Sequence, residues 1–322
     1  MLYNRFMQIF SGSSNRGLAE KIAKLLDLRI GEMEISQFSN GETRVWIKEK
    51  KIEKQVILVQ SLSTPTNENL VEFCLICDAL HRGGATEIVA VIPWMGYSKQ
   101  DKVFRAGEPL SAKVVAQIIQ VAHVSQIITM DLHNRATLGF FDCPIKELSA
   151  KPLLIEYFRK QIKDKVPNSG PESSEPGSNT VVVAPDAGAV KASTAFAMEI
   201  GAPVIYMDKK RDLDTGEVKV VGMSSSVVRK DVIIVDDNVF TGSTLLATAK
   251  ELKKNGAKTV RVGLTHHLYV EGVQEKIEKS EIDEIVVTDT VASKSQISNS
   301  QILKSSKLKI LSVAEIIVDE LR

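Results

Sequence analysis

Apolar residues in this chain come in short unbroken runs, and most of those runs end in polar or acidic residues. Residues 232–235, 181–184, 88–92 and 127–130 have the length and composition of parallel strands buried on both faces. Residues 7–10 and 55–61 read the same way. Between these runs lie segments with apolar residues three and four apart, the spacing of a helix with one buried face. They predict helices from a cap at Ser14 or Asn15 to Leu26, and over 67–80, 111–122, 148–162 and 192–200. Further helices follow Thr244, run up to Glu278, and end the chain at Leu321. Residues 43–47 alternate as a half-exposed strand, and Asn40-Gly41 is a strong hairpin signal between it and an extended segment at Ile35. Residues 203–207 form a strand that delivers Asp208-Lys-Lys-Arg211, and 212–221 read as a small ribbon turning at 214–216. Residues 260–265, 284–287 and a segment at Ile310 complete the strands. Strands alternating with helices predict an α/β protein with largely parallel sheets flanked by helices.

The same order of features occurs twice. ALHRGGATEIVAVIP, from Ala79, ends a helix and enters a strand. ELKKNGAKTVRVGLT, from Glu251, does the same with leucine, two basic residues, Gly-Ala and alternating aliphatics in matching places. The strands before these helices also correspond, ILVQS at Ile57 and IIVDD at Ile233. The offsets are nearly constant, 172 residues between Ala79 and Glu251 and 176 between Ile57 and Ile233. Two tandem related domains follow. We place the first at 1–147, with the last helix, 312–322, packed back on it. The second spans 148–311 and carries a proline, glycine and serine-rich surface insertion at 163–179.

Composition narrows the function more than the fold. At 322 residues the chain exceeds the size at which one core usually stops growing. Its 43% hydrophobic and 25% charged content is that of a soluble globular protein. A net charge of +1 argues against nucleic acid or an anionic membrane as a general partner. Three cysteines, Cys74, Cys77 and Cys143, are too few for a disulfide framework or a cysteine-rich zinc site. The start lacks the apolar run of a signal peptide and no stretch has transmembrane length, so the expected location is the cytoplasm.

The chemistry concentrates in DVIIVDDNVFTGST, which begins at Asp231. Asp236 and Asp237 leave the carboxyl end of a buried strand, where open α/β sheets bind their ligands. Thr241, Gly242, Ser243 and Thr244 make the turn into the next helix, and their N–H groups and hydroxyls suit a phosphate monoester. The adjacent carboxylates suit sugar hydroxyls or a hard cation such as Mg²⁺. Together these make a sugar-phosphate site. Three other strand ends are polar: Asp131 with His133, Asp186 with Ala187 and Gly188, and Asp208 with Lys209 and Arg211. The loop after Pro93 interleaves Trp94, Tyr97 and Phe104 with Lys99, Lys102 and Arg105, as a cationic lid over polyphosphate would. No P-loop, dinucleotide turn, protein-kinase set, nucleophile elbow or H-E-x-x-H occurs. Acidic strand ends, a phosphate nest and two cationic segments suit Mg²⁺-assisted transfer of a phosphoryl-type group.

These motifs together make the sequence resemble, nearly end to end, the ribose-phosphate diphosphokinases, or phosphoribosyl pyrophosphate synthetases. The resemblance rests on FSNGE at Phe38, PTNE at Pro65, PWMGYSKQDK at Pro93, EPLSAK at Glu108, MDLH at Met130, GFFD at Gly139, APDAG at Ala184 and DKKR at Asp208. The loop at Asp236 resembles the ribose 5-phosphate loop that the family shares with phosphoribosyltransferases. The resemblance implies two phosphoribosyltransferase-like domains and Mg²⁺-dependent transfer of the diphosphoryl group of ATP to the 1-hydroxyl of ribose 5-phosphate. It implies that Phe38, Asn40 and Glu42 reach the adenine of ATP bound mainly by a neighbouring subunit, in a dimer or hexamer. Lys99, Gln100, Asp101 and Arg105 fall on the ATP ribose and phosphate segment, and His133 near the phosphates and Mg²⁺. Asp186, Ala187 and Gly188 fall on the diphosphate loop, with Asp186 toward the metal. Lys209 and Arg211 fall on the catalytic basic pair. Asp236 and Asp237 would hold the ribose hydroxyls, and Thr241, Gly242, Ser243 and Thr244 the 5-phosphate.

The sequence departs from the family pattern in places. Lys99 stands where arginine is usual, which keeps the charge and loses the bidentate fork. Val103 and Gly107 make the lid less basic. In the ribose 5-phosphate loop, Phe240 replaces a third aspartate and Gly242-Ser243 reverses the small-residue order. A catalytically silent, scaffold-type homologue and a phosphoribosyltransferase are the competing readings.

Overall fold

The structure, a computed structural model, describes residues 7–163, 179–211, 218–292 and 305–322, with the backbone alone at 209–211 and 218–221. In chain order the elements begin β1 (Met7–Ser11), α1 (Arg16–Leu25), β2 (Met33–Gln37), β3 (Thr43–Ile47), β4 (Gln55–Val59) and α2 (Thr66–Arg82). Next come β5 (Glu87–Ile92), α3 (Ser111–Val121), β6 (Gln126–Met130), β7 (Ile145–Leu148), α4 (Lys151–Lys163), β8 (Thr180–Ala184) and α5 (Val190–Ile200). The chain continues with β9 (Val204–Arg211), β10 (Val218–Met223), β11 (Asp231–Val239), α6 (Ser243–Lys254), β12 (Thr259–His267) and α7 (Val273–Glu278). It closes with β13 (Glu284–Thr288), β14 (Leu308–Leu311) and α8 (Ala314–Leu321). No helix of the described residues is long and apolar enough to cross a membrane.

The chain forms two compact units. The first lies within Met1–Ala150, Asp289–Ile302 and Ser312–Arg322, and the second within Lys151–Thr288 and Leu303–Leu311. In the first, five parallel strands run in the order β1-β4-β5-β6-β7, and β2 and β3 pair as a separate antiparallel hairpin. Phe10, Leu58, Phe73, Ile76, Leu80, Ile92 and Ile119 fill its core at 0% exposure. α8 packs on α1, where Arg322 Nη2 donates to the Leu25 carbonyl at 3.3 Å. In the second unit seven strands run β10-β9-β8-β11-β12-β13-β14, all parallel except β10. Val232 and Ile234 pack toward Leu252, Val262 and Ile277, while Ile233 and Val235 pack toward Phe158 and Phe196. A strand buried on both faces needs that unbroken aliphatic run.

The duplication is visible in the backbone. At the end of α2, Gly84 N–H donates to His81 O and Ala85 N–H to Leu80 O; at the end of α6, Gly256 donates to Lys253 O and Ala257 to Leu252 O. Both turns place a glycine at positive φ, +114° and +86°, where a side chain would be strained. Thr86 then donates to Lys54 O, and Lys258 to Lys230 O, again 172 and 176 residues apart. The order β1-β4-β5-β6-β7 thus corresponds to β8-β11-β12-β13-β14. Two α/β domains in tandem, each with a largely parallel sheet flanked by helices, are the architecture of this chain.

Several element boundaries differ from the sequence expectation. Leu148 closes β7 and does not begin a helix; α4 starts at Lys151. The four-residue IKEL run pairs with β6 in register, a tertiary contact with no local pattern long enough to announce it. Asp236 and Asp237 belong to β11 and do not lie beyond it, because the strand continues beside β12 to Val239. Asp208, Lys209, Lys210 and Arg211 likewise continue β9 and pair with β10. The ribbon is therefore present in its two legs, and its turn at 214–216 lies outside the described residues, as does nearly all of the 163–179 insertion.

Candidate functional site

In the second unit, candidate groups collect at the carboxyl ends of β8, β9 and β11. β11 is extended by its register with β12, Asp236 opposite Leu264, Asn238 opposite His266 and Val239 opposite His267. Asp236 is exposed and Asp237 half-buried, and the Asp237 N–H donates to Asp236 Oδ1 at 2.8 Å. Val239 is buried and anchors the turn that follows; Phe240 is 38% exposed. Gly242 sits at φ +71° and caps α6, so the chain reverses there in a conformation suited to glycine. The hydroxyls of Thr241 and Ser243 lie 3.2 Å apart beside the first turn of this 12-residue helix. Thr248 Oγ1 donates to Thr244 O at 2.7 Å and braces that turn. Backbone N–H groups of a helix start and the positive end of its dipole meet an anion there. The variant order Gly242-Ser243 thus puts the glycine at the positive-φ position and Ser243 at the start of α6.

At the end of β8, Asp186 is exposed and caps a short turn over Ala187–Ala189, its Oδ1 accepting from Ala189 N at 3.1 Å. Asp186 lines an open cleft of about 510 Å³ with Ala187, Val190, Tyr206, Asp208 and Met223. Asp208 is exposed on β9 opposite Gly222. Lys209 and Arg211 follow on the same strand, opposite Val220 and Val218. Asp208 is the residue that sequence reasoning passed over as a candidate ligand; its signal was the carboxylate directly before the basic pair. The cleft offers the hard carboxylate oxygens that suit Mg²⁺, which typically takes one or two carboxylates and fills its shell with water and substrate phosphates. Among the described residues no three His, Cys, Asp or Glu converge into an all-protein metal cage. The donor set thus fits a metal that arrives with its substrate.

In the first unit the β6 end is held rigidly. Asp131 adopts φ +32° and is buried, its carboxylate accepting from Ser149 Oγ at 2.7 Å and Ala150 N at 2.8 Å. Glu147 accepts from Leu132 N at 2.9 Å and pairs with Arg135 at 2.7 Å, so β7 clamps both sides of the exposed His133. Asn134 donates to Asp101 Oδ2. That bond brings the 99–105 loop to the histidine turn, two candidate segments the sequence names separately. Gln100, in contrast, is engaged at the start of α3, accepting from Ser111 Oγ at 2.7 Å through its side chain and from Ala112 N at 3.1 Å through its carbonyl. Glu108 accepts from the Phe104 and Arg105 N–H groups at 3.0 Å each. Phe104 is 73% exposed, which leaves this loop an aromatic edge in solvent.

Phe38, Asn40 and Glu42 form the tip of the β2–β3 hairpin. Phe38 N–H donates to Glu42 O at 2.9 Å and Gly41 N–H to Phe38 O at 2.8 Å, while Glu42 N–H donates to Asn40 Oδ1 at 3.2 Å. Phe38 is 52% exposed with the Arg44 guanidinium 6.0 Å from its ring centre. A fixed, outward aromatic next to a cation is suited to stacking on a flat ligand.

Residues 7–122 match the N-terminal domain of ribose phosphate pyrophosphokinase, and residues 168–299 match the phosphoribosyl transferase domain. The chain is similar to the ribose-phosphate pyrophosphokinase of Thermotoga maritima, 36% identical over 98% of this chain and 94% of that one. It is also similar to the ribose-phosphate pyrophosphokinase of Campylobacter jejuni, 34% identical over 99% and 96%. Among solved structures it resembles phosphoribosylpyrophosphate synthetase from Mycobacterium smegmatis, with a TM-score of 0.84 and 29% identity over 99% of this chain and 98% of that one.

Proposed function

The chain belongs to the ribose-phosphate pyrophosphokinase family, and from that premise we propose how its own residues divide the reaction. The protein transfers the β,γ-diphosphoryl group of ATP to ribose 5-phosphate, releasing AMP. The observation that carries the reading on this chain is the loop of β11, where a helix-start nest stands directly beyond two carboxylates.

Asp236 and Asp237 accept from the 2- and 3-hydroxyls of ribose. Thr241, Gly242, Ser243 and Thr244 hold the 5-phosphate on N–H groups and hydroxyls. So held, the sugar presents its 1-hydroxyl, whose oxygen lone pair forms a bond to the β-phosphorus of ATP. The bond from that phosphorus to the α,β-bridging oxygen breaks, AMP leaves with the electron pair, and the hydroxyl proton is lost. Lys209 and Arg211 offset the negative charge that grows on the transferred group. Asp186, with Ala187 and Gly188, lies where the diphosphate is received. Family membership implies dependence on Mg²⁺, which neutralises phosphate charge when bound with ATP; Asp186 and His133 are the protein groups we assign to it.

Lys99, Gln100, Asp101 and Arg105 handle the ATP ribose and phosphates, with Gln100 acting through the geometry it gives the start of α3. Family members typically oligomerise. We assign Phe38, Asn40 and Glu42 to the adenine of ATP bound on an adjoining copy, in a dimer or hexamer. Product analysis after incubation with Mg-ATP and ribose 5-phosphate tests the reading. Equal amounts of AMP and phosphoribosyl diphosphate support it; ADP, or inorganic phosphate alone, contradicts it.

A further inference from the structure

Asn238 is the one polar side chain of the β11 loop that the assignments above leave without work. It is 7% exposed, and neither its Nδ2 nor its Oδ1 has a hydrogen-bond partner. A primary amide brings two donors and an acceptor with two lone pairs, and water would satisfy all of them. Buried and unpaired, it disfavours the folded state, whereas an apolar residue of similar size is neutral or stabilising at such a place. The surrounding run, VIIV before Asp236 and Val239 after it, is apolar, so leucine or isoleucine would suit the strand. A buried amide kept there has a use in another state of the molecule.

Its position says which one. Alternation along a strand sets Asp236 and Asn238 on the same face, about 7 Å apart along the chain. Opposite them on β12 stand Leu264 and His266. We infer that Asn238 is a positioning residue for ribose: when sugar phosphate binds, its Nδ2–H donates to the Asp236 carboxylate and turns it onto the ribose 2-hydroxyl. The inference rests on the assignment of this loop to ribose 5-phosphate. Asn238 touches no reacting atom. In the absence of sugar the amide stays unpaired, so part of the stability of the strand is given up for a carboxylate oriented on demand.

The test compares Asn238→Leu with wild type by thermal unfolding and by steady-state kinetics on ribose 5-phosphate and on 2-deoxyribose 5-phosphate. Leucine is expected to leave Tm unchanged or raise it, and to raise KM for ribose 5-phosphate by about tenfold, the usual scale for losing one oriented polar contact. KM for ATP and the kinetics on the 2-deoxy sugar are expected to stay within twofold of wild type, so preference for the 2-hydroxyl collapses. Asn238→Thr, which restores a hydroxyl, should recover part of that preference, and it is the variant read if leucine does not fold. Wild-type kinetics on both sugars, or equal losses on both, would overturn the positioning role. Asp236→Asn separates the two levels. If it loses ribose 5-phosphate while Asn238→Leu does not, only the positioning role falls; if Asp236→Asn is also normal, the loop assignment falls with it.

Discussion

Glu72 on α2 closes over Ser13 at the end of β1: its Oε1 accepts from the Ser13 N–H at 2.7 Å and its Oε2 from the Ser13 hydroxyl at 2.7 Å. Gln60 Nε2 adds a third bond to Oε1 at 2.9 Å, and Gln60 Oε1 accepts from the Ser14 N–H and hydroxyl. In the duplicated topology this turn of β1 into α1 is the counterpart of the turn of β8 into α5, where Asp186, Ala187 and Gly188 stay exposed. One copy of the loop is filled by the protein's own carboxylate, and the other is open to a ligand. Glu72 is only 6% exposed and its bond to Gln60 is buried, whereas Ser13 stands at the surface.

Replacing Glu72 with alanine is therefore expected to destabilise the protein by about 1–2 kcal/mol, chiefly the cost of leaving the buried Gln60 amide without its acceptor. Chemical denaturation measures this. KM for ribose 5-phosphate should remain at its wild-type value, since this loop binds no substrate.

Asp289 has the same anchoring role for the C-terminal helix. Its side chain is 3% exposed and accepts from Lys21 Nζ at 2.7 Å, Ser312 Oγ at 2.7 Å and Val313 N at 2.8 Å. It joins α1 to the start of α8, where a negative charge also meets the positive helix end. Asp289→Ala should cost about 3 kcal/mol in equilibrium unfolding, because the remaining partners lose a buried acceptor. Lys21→Ala, which removes a half-exposed partner, should cost about 1 kcal/mol or less.

His267 carries a pH dependence of stability. The ring is fully buried, its Nδ1 accepts from Tyr269 N at 2.9 Å, and burial pushes its pKa down to about 4 from an ordinary 6.5. The unfolded chain therefore binds a proton on His267 before the folded chain does. Stability from this residue is complete above about pH 6.5 and falls as pH drops toward 4, by up to about 3 kcal/mol. Urea midpoints measured from pH 7 to pH 4 should fall more steeply for wild type than for His267→Gln. Parallel curves would show that His267 does not titrate in this way.

Lys209 is assigned to charge that develops in the transition state. Lys209→Ala should lower kcat by about 10²-fold or more, with KM for both substrates changed little. A near-normal kcat would remove Lys209 from the mechanism.

The strands were legible because buried parallel strands need unbroken aliphatic runs; 88–92 and 181–184 could be read directly. The duplicated glycine turns were legible for a related reason, since Gly84 and Gly256 stand where only glycine is relaxed. What stayed hidden depends on neighbours distant in sequence. β7 is four residues paired with β6, and β11 runs through two aspartates because β12 accompanies it. Charged residues inside a strand read as its end unless the partner strand is known. The turn into α6 is legible in the TGST spacing, while the bond from Asn134 to Asp101 and the unpaired amide of Asn238 exist only in three dimensions. Phe240, the largest departure from the family pattern, is 38% exposed directly before the Thr241–Thr244 turn.

The proposed function requires the Asp236 loop, with Phe240 in place of an acidic residue, to hold ribose 5-phosphate in a working diphosphokinase. The most direct measurement is the initial rate of AMP release from Mg-ATP as ribose 5-phosphate is varied, in wild type and in Asp236→Asn. The account predicts AMP release that depends on ribose 5-phosphate in wild type, and a KM for that sugar raised at least about tenfold in the variant with KM for ATP unchanged. AMP release that is absent from folded wild type, or a KM unmoved by the substitution, would contradict it.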